Sequence, residues 1–160
     1  MFCPSDFSEF PWMQFAIAEW EQGVHKVAEV SNARVKWYLS VVGQTDEELP
    51  WCSAFVNWCL LQAGYSITHL ANARSWLTYQ GANMCLATPR WGCVTVLWRP
   101  PDGPDPFLSG KGHVGFFVGR NGSKIELLGG NQSHRVQAKP FPIDHVLGFV
   151  WPTNRQMSKT

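Results

Sequence analysis

The sequence has little charge and no run of basic residues. Charged residues make up only 16% of its 160 positions, and the formal net charge is +1. A dedicated nucleic-acid binder usually carries a strong basic excess, so the composition argues against that class of protein. It favours a neutral or compact substrate that is recognised by shape and local polarity.

Long apolar runs are also missing. The longest stretches, around residues 55–61 and 114–118, are far shorter than the roughly 20 residues of a membrane-spanning helix. The first residues lack the charged start and apolar run of a secretory signal. We therefore expect no membrane insertion and no cleavable signal peptide, so that a protein acting outside the cytoplasm needs another delivery route.

No C-x-x-C pair occurs among the five cysteines, which are Cys3, Cys52, Cys59, Cys85 and Cys93. Without that ligand spacing a zinc site is disfavoured, and we predict no metal ion and no cofactor. Because the number is odd, at least one thiol stays unpaired in a monomer. Cys59, Cys85 and Cys93 are predicted to be small buried residues. A Cys85–Cys93 disulfide stays open for an oxidising compartment.

Aromatic and aliphatic residues are plentiful. Hydrophobic residues account for 45% of the chain, which has 9 Trp and 10 Phe, and this indicates a well-packed globular body. The length fits one domain with a hydrophobic core, and neither internal repeats nor a linker interrupts it. We assign the domain to residues 11–152, between an N-terminal tail (1–10) and a polar C-terminal tail (153–160).

The order of elements predicts helices first and strands afterwards. A helical stretch over residues 11–39 is broken at Gly23, and its second helix lies near residues 32–39. A third helix begins beside Cys52 and stops at Gly64, because apolar residues recur at helical spacing between them. A further helical segment covers residues 71–79. Strands are predicted at 94–98, 113–119, 124–128, 136–139 and 147–150, with Gly129-Gly130 ending the third. This order indicates an α+β fold with an antiparallel sheet.

Cys52 is the first candidate for chemistry, because it lies in the opening turn of the third predicted helix, directly after Pro50 and Trp51. The unpaired N–H groups and partial positive charge of a helix start stabilise a thiolate. The same N–H groups can hold the oxyanion that forms when the sulfur attacks a carbonyl carbon. By position alone, a plain core residue at a helix start is an equal alternative.

A thiolate nucleophile needs a base, normally a histidine within hydrogen-bonding distance. Of the five histidines, only His113 begins a clear strand. Strand alternation places His113 on the same face as Gly115 and Phe117. Gly112 and Gly115 leave the space beside the imidazole free of bulky side chains, as a substrate requires. The alternative is a half-buried histidine bonded to the backbone.

The imidazole must itself be oriented by a hydrogen-bond acceptor. The strand after His113 leads into Gly129-Gly130-Asn131-Gln132, and adjacent antiparallel strands bring this end near the histidine. Asn131 is therefore the first candidate and Gln132 the second. The alternative is a simple turn in which Asn131 tolerates left-handed geometry.

Four pieces of sequence follow one another: Pro-Trp-Cys-Ser-Ala-Phe-Val-Asn-Trp-Cys-Leu at 50–60, Ala-Arg-Ser-Trp at 73–76, Gly-His-Val-Gly-Phe at 112–116 and Leu-Gly-Gly-Asn-Gln at 128–132. Together they resemble the NlpC-like and CHAP-type (cysteine, histidine-dependent amidohydrolase/peptidase) superfamily, particularly its small bacterial and phage-associated members. The similarity spans about residues 11–152. It implies a papain-like core with N-terminal helices packed on a small antiparallel sheet. One departure is Cys93, where the family often has an acidic residue.

The resemblance implies hydrolysis of amide bonds in bacterial peptidoglycan through a thioacyl-enzyme, of the endopeptidase or N-acetylmuramoyl-L-alanine amidase type. By matching motifs, Cys52 takes the role of nucleophile, His113 that of base, and Asn131 that of the orienting residue. Two alternatives stay open. One is a catalytically silent module that binds the wall or a partner, and the other is a thiol-dependent protease or acyltransferase acting on another substrate.

Three further residues are expected to bind substrate. Trp51 adjoins the nucleophile and suits the wall of a groove, and Glu48 precedes it in a polar loop where it can meet a substrate amine. Gln132 follows the orienting position. A solvated loop charge is the alternative for Glu48. Peptidoglycan is the expected partner, reached in the periplasm or cell wall by phage or secretion-system delivery, and a delivered effector would require an inhibitor protein in the producing cell.

Overall fold

A computed structural model describes residues 5–79 and 84–153, and three α-helices come first in this part of the chain. They are α1 (Trp12–Glu21), α2 (Ala33–Val41) and α3 (Cys52–Gln62), and they confirm the three helices expected from the sequence. The helix predicted over residues 71–79 forms as a 3₁₀ helix, Ala73–Thr78. None of these described helices has the length and apolarity to cross a membrane.

One antiparallel sheet of six strands follows within the described residues. The strands are β1 (Met84–Leu86), β2 (Val94–Trp98), β3 (Gly112–Asn121), β4 (Lys124–Gln132), β5 (Arg135–Pro142) and β6 (Val146–Trp151). Their order across the sheet is β1-β6-β2-β3-β4-β5. Helices followed by this sheet confirm the predicted α+β fold. The sequence pattern does not predict β1, because three residues are too few to show an alternation.

Helix α3 lies in the middle of the hydrophobic core. It packs against α1, α2, β3 and β4, and Phe55, Val56, Cys59 and Leu60 are fully buried. A helix that is buried on nearly all sides is expected to be apolar all round, as this one is. Because its first turn faces β3 and β4, the core packing itself brings the start of α3 to the sheet.

Two polar side chains on α3 tie down the segment that follows the helix. Ser53 Oγ donates to the carbonyl of Leu70 at 2.8 Å, and Asn57 Oδ1 accepts from the N–H of His69 at 3.0 Å. Both polar side chains are fully buried. A buried polar group destabilises a fold unless it is hydrogen-bonded. These bonds therefore fix residues 68–70 beside the helix that carries Cys52.

Strand β4 runs through Gly129-Gly130 to Gln132, so the prediction that these glycines end the strand is wrong. A Cβ on Gly130 would lie 2.6 Å from Phe55 Cβ and 2.9 Å from the Trp51 ring. Glycine is required there because β4 passes directly over the start of α3. The double glycine marks a close approach of backbone to helix rather than a turn.

The described cysteines Cys52, Cys59, Cys85 and Cys93 are all free thiols. Cys59 and Cys93 are fully buried, as predicted. Cys85 is exposed because it stands in the short edge strand β1, so the prediction of burial is wrong for this residue. Cys3 and the outer parts of both predicted tails lie outside the described residues.

Candidate active site

Cys52 is the first residue of α3, and only 4% of its surface is exposed. The backbone N–H groups of Val114 and Ser53 lie near its sulfur and act to lower the pKa of the thiol. Val114 follows His113 in strand β3. The thiol at the helix start therefore lies against the part of β3 that carries the histidine.

His113 is the second residue of β3 and is buried to a similar degree. Its Nε2 lies 2.9 Å from Gln132 Oε1, and its ring stacks on Phe141 with centroids 5.0 Å apart. Gln132 Nε2 donates to the carbonyls of Leu127 and Gln137, so the amide oxygen must face the imidazole. Because an amide oxygen only accepts, we assign the hydrogen of the neutral imidazole to Nε2. Nδ1 then keeps a lone pair that can accept a proton.

The structure brings Gln132, and not Asn131, to the imidazole. The pair Phe116–Leu128, continued without interruption, would set Asn131 opposite His113. Instead the pairing of β4 shifts register just before Gln132, and Asn131 takes a left-handed backbone with φ of 54°. A bulge of this kind re-aims the next side chain. The orienting position predicted for Asn131 is therefore held by Gln132. Gln132 is only 2% exposed, although it lines the His113 cavity, and its predicted contact with substrate stays a prediction.

Glycines make room for these buried groups. A Cβ on Gly129 would lie 2.5 Å from Gln132 Oε1, and a Cβ on Gly115 would lie 3.3 Å from the same atom. At Gly112, a Cβ would lie 3.2 Å from Arg74 Cγ. The expectation that Gly112 and Gly115 leave space for substrate is therefore wrong. The space is filled by two side chains of the protein itself.

Burial decides the protonation of the pair. Desolvation raises the pKa of the Cys52 thiol, although the surrounding N–H groups and the charge of Arg99 act in the opposite direction. Desolvation also lowers the pKa of His113 to about 4, although its hydrogen bond to Gln132 opposes this change. At neutral pH the resting pair is a neutral thiol and a neutral imidazole. The helix start alone predicts a thiolate, but the loss of solvent outweighs its N–H groups.

A family model described as the CHAP domain matches residues 44–131. The match covers more than half of the chain and includes both Cys52 and His113. This chain belongs to the CHAP domain family. CHAP domains are typically cysteine- and histidine-dependent hydrolases, and membership indicates amidase or peptidase activity on peptidoglycan in the cell wall. No match was found among curated proteins or among solved structures.

In this CHAP domain, Cys52 and His113 border two neighbouring cavities. The cavity on the His113 side has a volume of about 430 Å³, and the one on the Cys52 side has a volume of about 460 Å³. Arg99 and Pro100 line both of them. Within residues 5–79 and 84–153, no three His, Cys, Asp or Glu side chains are grouped as a metal ion would require.

Trp51 does not form the wall of a substrate groove. Although it touches a third cavity, only 1% of its surface is exposed, and its indole stacks on Tyr38 with centroids 5.8 Å apart. The prediction fails because the residue before Cys52 faces the core beside α2. The tryptophan with access to the His113 cavity is Trp98, which is half-buried and stacks on His145 at 3.8 Å.

Glu48 lines the third cavity together with Pro50 and Arg99. Its carboxylate lies 2.9 Å from Lys26 Nζ and accepts from the N–H of Glu29 at 2.8 Å. The hydrogen bond from Lys26 holds the pKa of Glu48 below its usual value. Both partners contact Oε1, so the carboxylate fixes residues 26–29 to the cavity wall, and its predicted contact with a substrate amine stays a prediction.

Arg74 has a structural role beside the site that the sequence does not reveal. It is fully buried, and every hydrogen bond of its guanidinium goes to a main-chain carbonyl. The acceptors are Gly103, Pro104, Pro106, Phe107 and Lys111. These bonds hold the loop between β2 and β3, whose end at residues 109–112 lines the Cys52 cavity. Because its partners are backbone atoms that are distant in sequence, no sequence motif predicts this role.

The low pKa of His113 gives the stability of the domain a defined pH dependence. Between pH 6.5, the ordinary pKa of a histidine, and about pH 4, its pKa when buried here, the unfolded chain binds a proton on His113 that the folded domain does not bind. Protonation therefore favours unfolding, and the free energy of unfolding should fall by about 3 kcal/mol as the pH falls through this window. Denaturant titrations across the window measure the fall. A His113→Asn variant should lack this component, and identical pH slopes in both proteins would contradict the assignment.

Replacing Gln132 with alanine should lower kcat by about 10²-fold to 10⁴-fold, because the imidazole loses the acceptor that fixes its tautomer and orientation. Asn131→Ala, one residue away, should cost far less. Gln132→Glu keeps an acceptor and adds charge, so it should move the acid limb of the pH profile to higher pH, but its second oxygen would face the carbonyls of Leu127 and Gln137 and lower the stability. Steady-state kinetics over pH compare the three variants. Equal losses in Asn131→Ala and Gln132→Ala would refute the assignment.

Proposed function

We propose that this chain is a single-domain cysteine hydrolase that cuts amide bonds of bacterial peptidoglycan through a thioacyl-enzyme. The proposal rests on the Cys52 sulfur at the start of α3 and on the His113 imidazole that Gln132 orients, since the two residues border neighbouring cavities. A catalytically silent binding module would need the cavities but not the combination of Cys52, His113 and Gln132. Membership of the CHAP family supports the substrate class.

Acylation begins when His113 Nδ1 takes the proton of the Cys52 thiol as the sulfur attacks the amide carbon. A C–S bond forms, and the carbonyl electron pair moves to the oxygen. N–H groups at the start of α3 are positioned to stabilise the resulting oxyanion. Gln132 stabilises the imidazolium by accepting from Nε2. His113 then protonates the leaving nitrogen, the C–N bond breaks, and a thioester remains on Cys52.

Deacylation repeats these steps with water as the nucleophile. His113 takes a proton from water as the oxygen attacks the thioester carbon. The C–O bond forms, the C–S bond breaks, and the sulfur recovers a proton from the imidazolium. The net reaction consumes one amide and one water and gives a carboxylic acid and an amine. A resting imidazole that is neutral at pH 7 suits this role of general base.

The proposal includes the two bond types expected from the sequence. An endopeptidase cuts within the stem peptide, and an N-acetylmuramoyl-L-alanine amidase separates the peptide from the sugar. It also includes delivery to the wall by a phage or a secretion system, with an inhibitor protein where the producing cell needs protection. Cavities that border Cys52 and His113 and lie open to solvent support a polymeric substrate.

The test is the mass of the fragments that the protein releases from purified peptidoglycan. Endopeptidase action should give sugars that carry shortened peptides, and amidase action should give free sugar chains and intact stem peptides. In both cases each cut adds one water. The Cys52→Ala variant serves as the matched control. Absence of fragments, or the same fragments from the variant, would overturn the proposal.

A further inference from the structure

Arg99 stands where three cavities meet. It lines the cavity beside His113, the cavity beside Cys52 and the cavity beside Glu48. Its side chain is exposed. Among residues 5–79 and 84–153, the guanidinium makes neither a hydrogen bond nor an ion pair. All five of its N–H donors are therefore open to a ligand.

The cavities around Arg99 are basic. Lys111 lines the Cys52 cavity and Lys139 lines the His113 cavity, and no carboxylate among the described residues lines either of them. Glu47 and Glu48 border the third cavity, but both carboxylates already accept hydrogen bonds from neighbouring residues. No carboxylate of the described residues neutralises the charge of Arg99. An anionic group on the ligand would therefore neutralise it.

We propose that Arg99 binds a free carboxylate on the substrate residue that adjoins the scissile amide. This specificity rests on the proposed function. A planar guanidinium matches a carboxylate with two parallel hydrogen bonds. Because Arg99 borders the cavities of both Cys52 and His113, a carboxylate bound to it lies beside the amide that is cut. The preferred substrate is therefore a stem peptide with a free carboxylate at that residue, rather than the corresponding amide.

The electrostatics of the site agree with this position. Burial is the main cause of both pKa changes, but the charge of Arg99 lowers the pKa of Cys52 and of His113 alike. Lys139 acts on His113 in the same direction. A bound carboxylate would offset these charges and raise the pKa of His113. Binding of the correct substrate would thus strengthen the base that the reaction uses.

The experiment uses two synthetic stem peptides that differ only in whether the carboxylate beside the scissile amide is free or amidated. The wild type should show a kcat/KM about ten-fold to a hundred-fold higher for the free acid. Arg99→Gln should bring the ratio close to one, mainly by raising KM for the free acid. Arg99→Lys should keep part of the preference, because lysine keeps the positive charge but lacks the two parallel N–H donors of the guanidinium. The preference of the wild type should shrink as salt is added.

Arg120→Gln is the matched control, because Arg120 is exposed at the far end of β3 and lines none of the three cavities. It should keep the wild-type ratio. Equal rates on both peptides, or a loss in Arg99→Gln that is the same for both, would overturn the carboxylate site while leaving the hydrolase intact. Failure of the wild type to cut either peptide or peptidoglycan would instead remove the proposed function.

Discussion

Replacing Cys52 with alanine should abolish amide hydrolysis while the domain stays folded. Loss of the nucleophile of a hydrolase lowers kcat on the order of 10⁶-fold, so release of peptidoglycan fragments should fall to the level seen without protein. The sulfur is buried, and desolvation raises the pKa of the thiol. Its removal deletes one small group from the start of α3. We expect a change in the free energy of unfolding of about 1 kcal/mol.

Cys59→Ala provides the matched control for this loss. Cys59 lies in the same helix, is fully buried and lines none of the cavities that border Cys52 or His113. The control should lose a similar or larger part of its stability and keep its hydrolytic activity at temperatures where it is folded. Measurable hydrolysis by Cys52→Ala, or an inactive but folded Cys59→Ala, would show that the sulfur of Cys52 is not the nucleophile.

Chemical labelling is a poorer measure of this role than catalysis. Cys85 is exposed, whereas Cys52 is nearly closed to solvent and its raised pKa keeps it in the thiol form. Because the thiolate is the reactive species, a mild alkylating agent should modify Cys85 before Cys52. Slow labelling of Cys52 is therefore expected of the enzyme itself and does not favour a silent binding module.

The parts of the site that the sequence predicts are those set by local rules. Cys52 follows Pro50-Trp51 and precedes an apolar helical repeat, so the position at a helix start is readable. His113 opens a strand that is apolar on both faces and bounded by a loop rich in Pro and Gly. Core packing also contributes, because α3 is buried on nearly all sides and its first turn lies against the sheet. Cys52 at the start of α3 and His113 at the start of β3 consequently border neighbouring cavities.

The parts that the sequence does not predict depend on breaks in regularity and on main-chain partners. A regular register puts Asn131 opposite His113, and only the bulge at Asn131 hands that place to Gln132. The sequence Gly-Gly-Asn-Gln is equally compatible with a bulge and with a turn. Likewise, the sequence predicts that Trp51 lines a groove, whereas in the structure its indole stacks on Tyr38 and faces the core.

Arg74 is a cation in the core whose partners are all carbonyl oxygens. Within the described residues no carboxylate forms an ion pair with it, and six N–H···O contacts of 2.6 to 3.2 Å join it to the loop between β2 and β3. A Cβ on Gly110 would lie 2.6 Å from the guanidinium, so the loop is shaped around this group. Burial of an ion without such donors and acceptors in place would be strongly unfavourable.

Arg74→Lys should therefore release the loop between β2 and β3 from its fixed conformation, because most of its hydrogen bonds to residue 74 would be lost. An ammonium has three donors at one point and cannot span carbonyls from Gly103 to Lys111. We expect a loss of about 2 to 4 kcal/mol in the free energy of unfolding, faster amide hydrogen exchange in residues 103–112, and a fall in kcat/KM of about 10²-fold because one wall of the Cys52 cavity is lost.

Arg90→Lys is the control for the Arg74 substitution, because Arg90 is exposed and lies over the ring of Trp151. It should lose little stability and keep wild-type exchange in the loop. Suppose that Arg74→Lys lost stability but kept both the exchange rates and the activity of the wild type. Arg74 would then be a packing residue alone. A joint loss of loop protection and kcat/KM would show that the buried guanidinium supports catalysis. The loop that it holds leads into Gly112 and His113 at the start of β3.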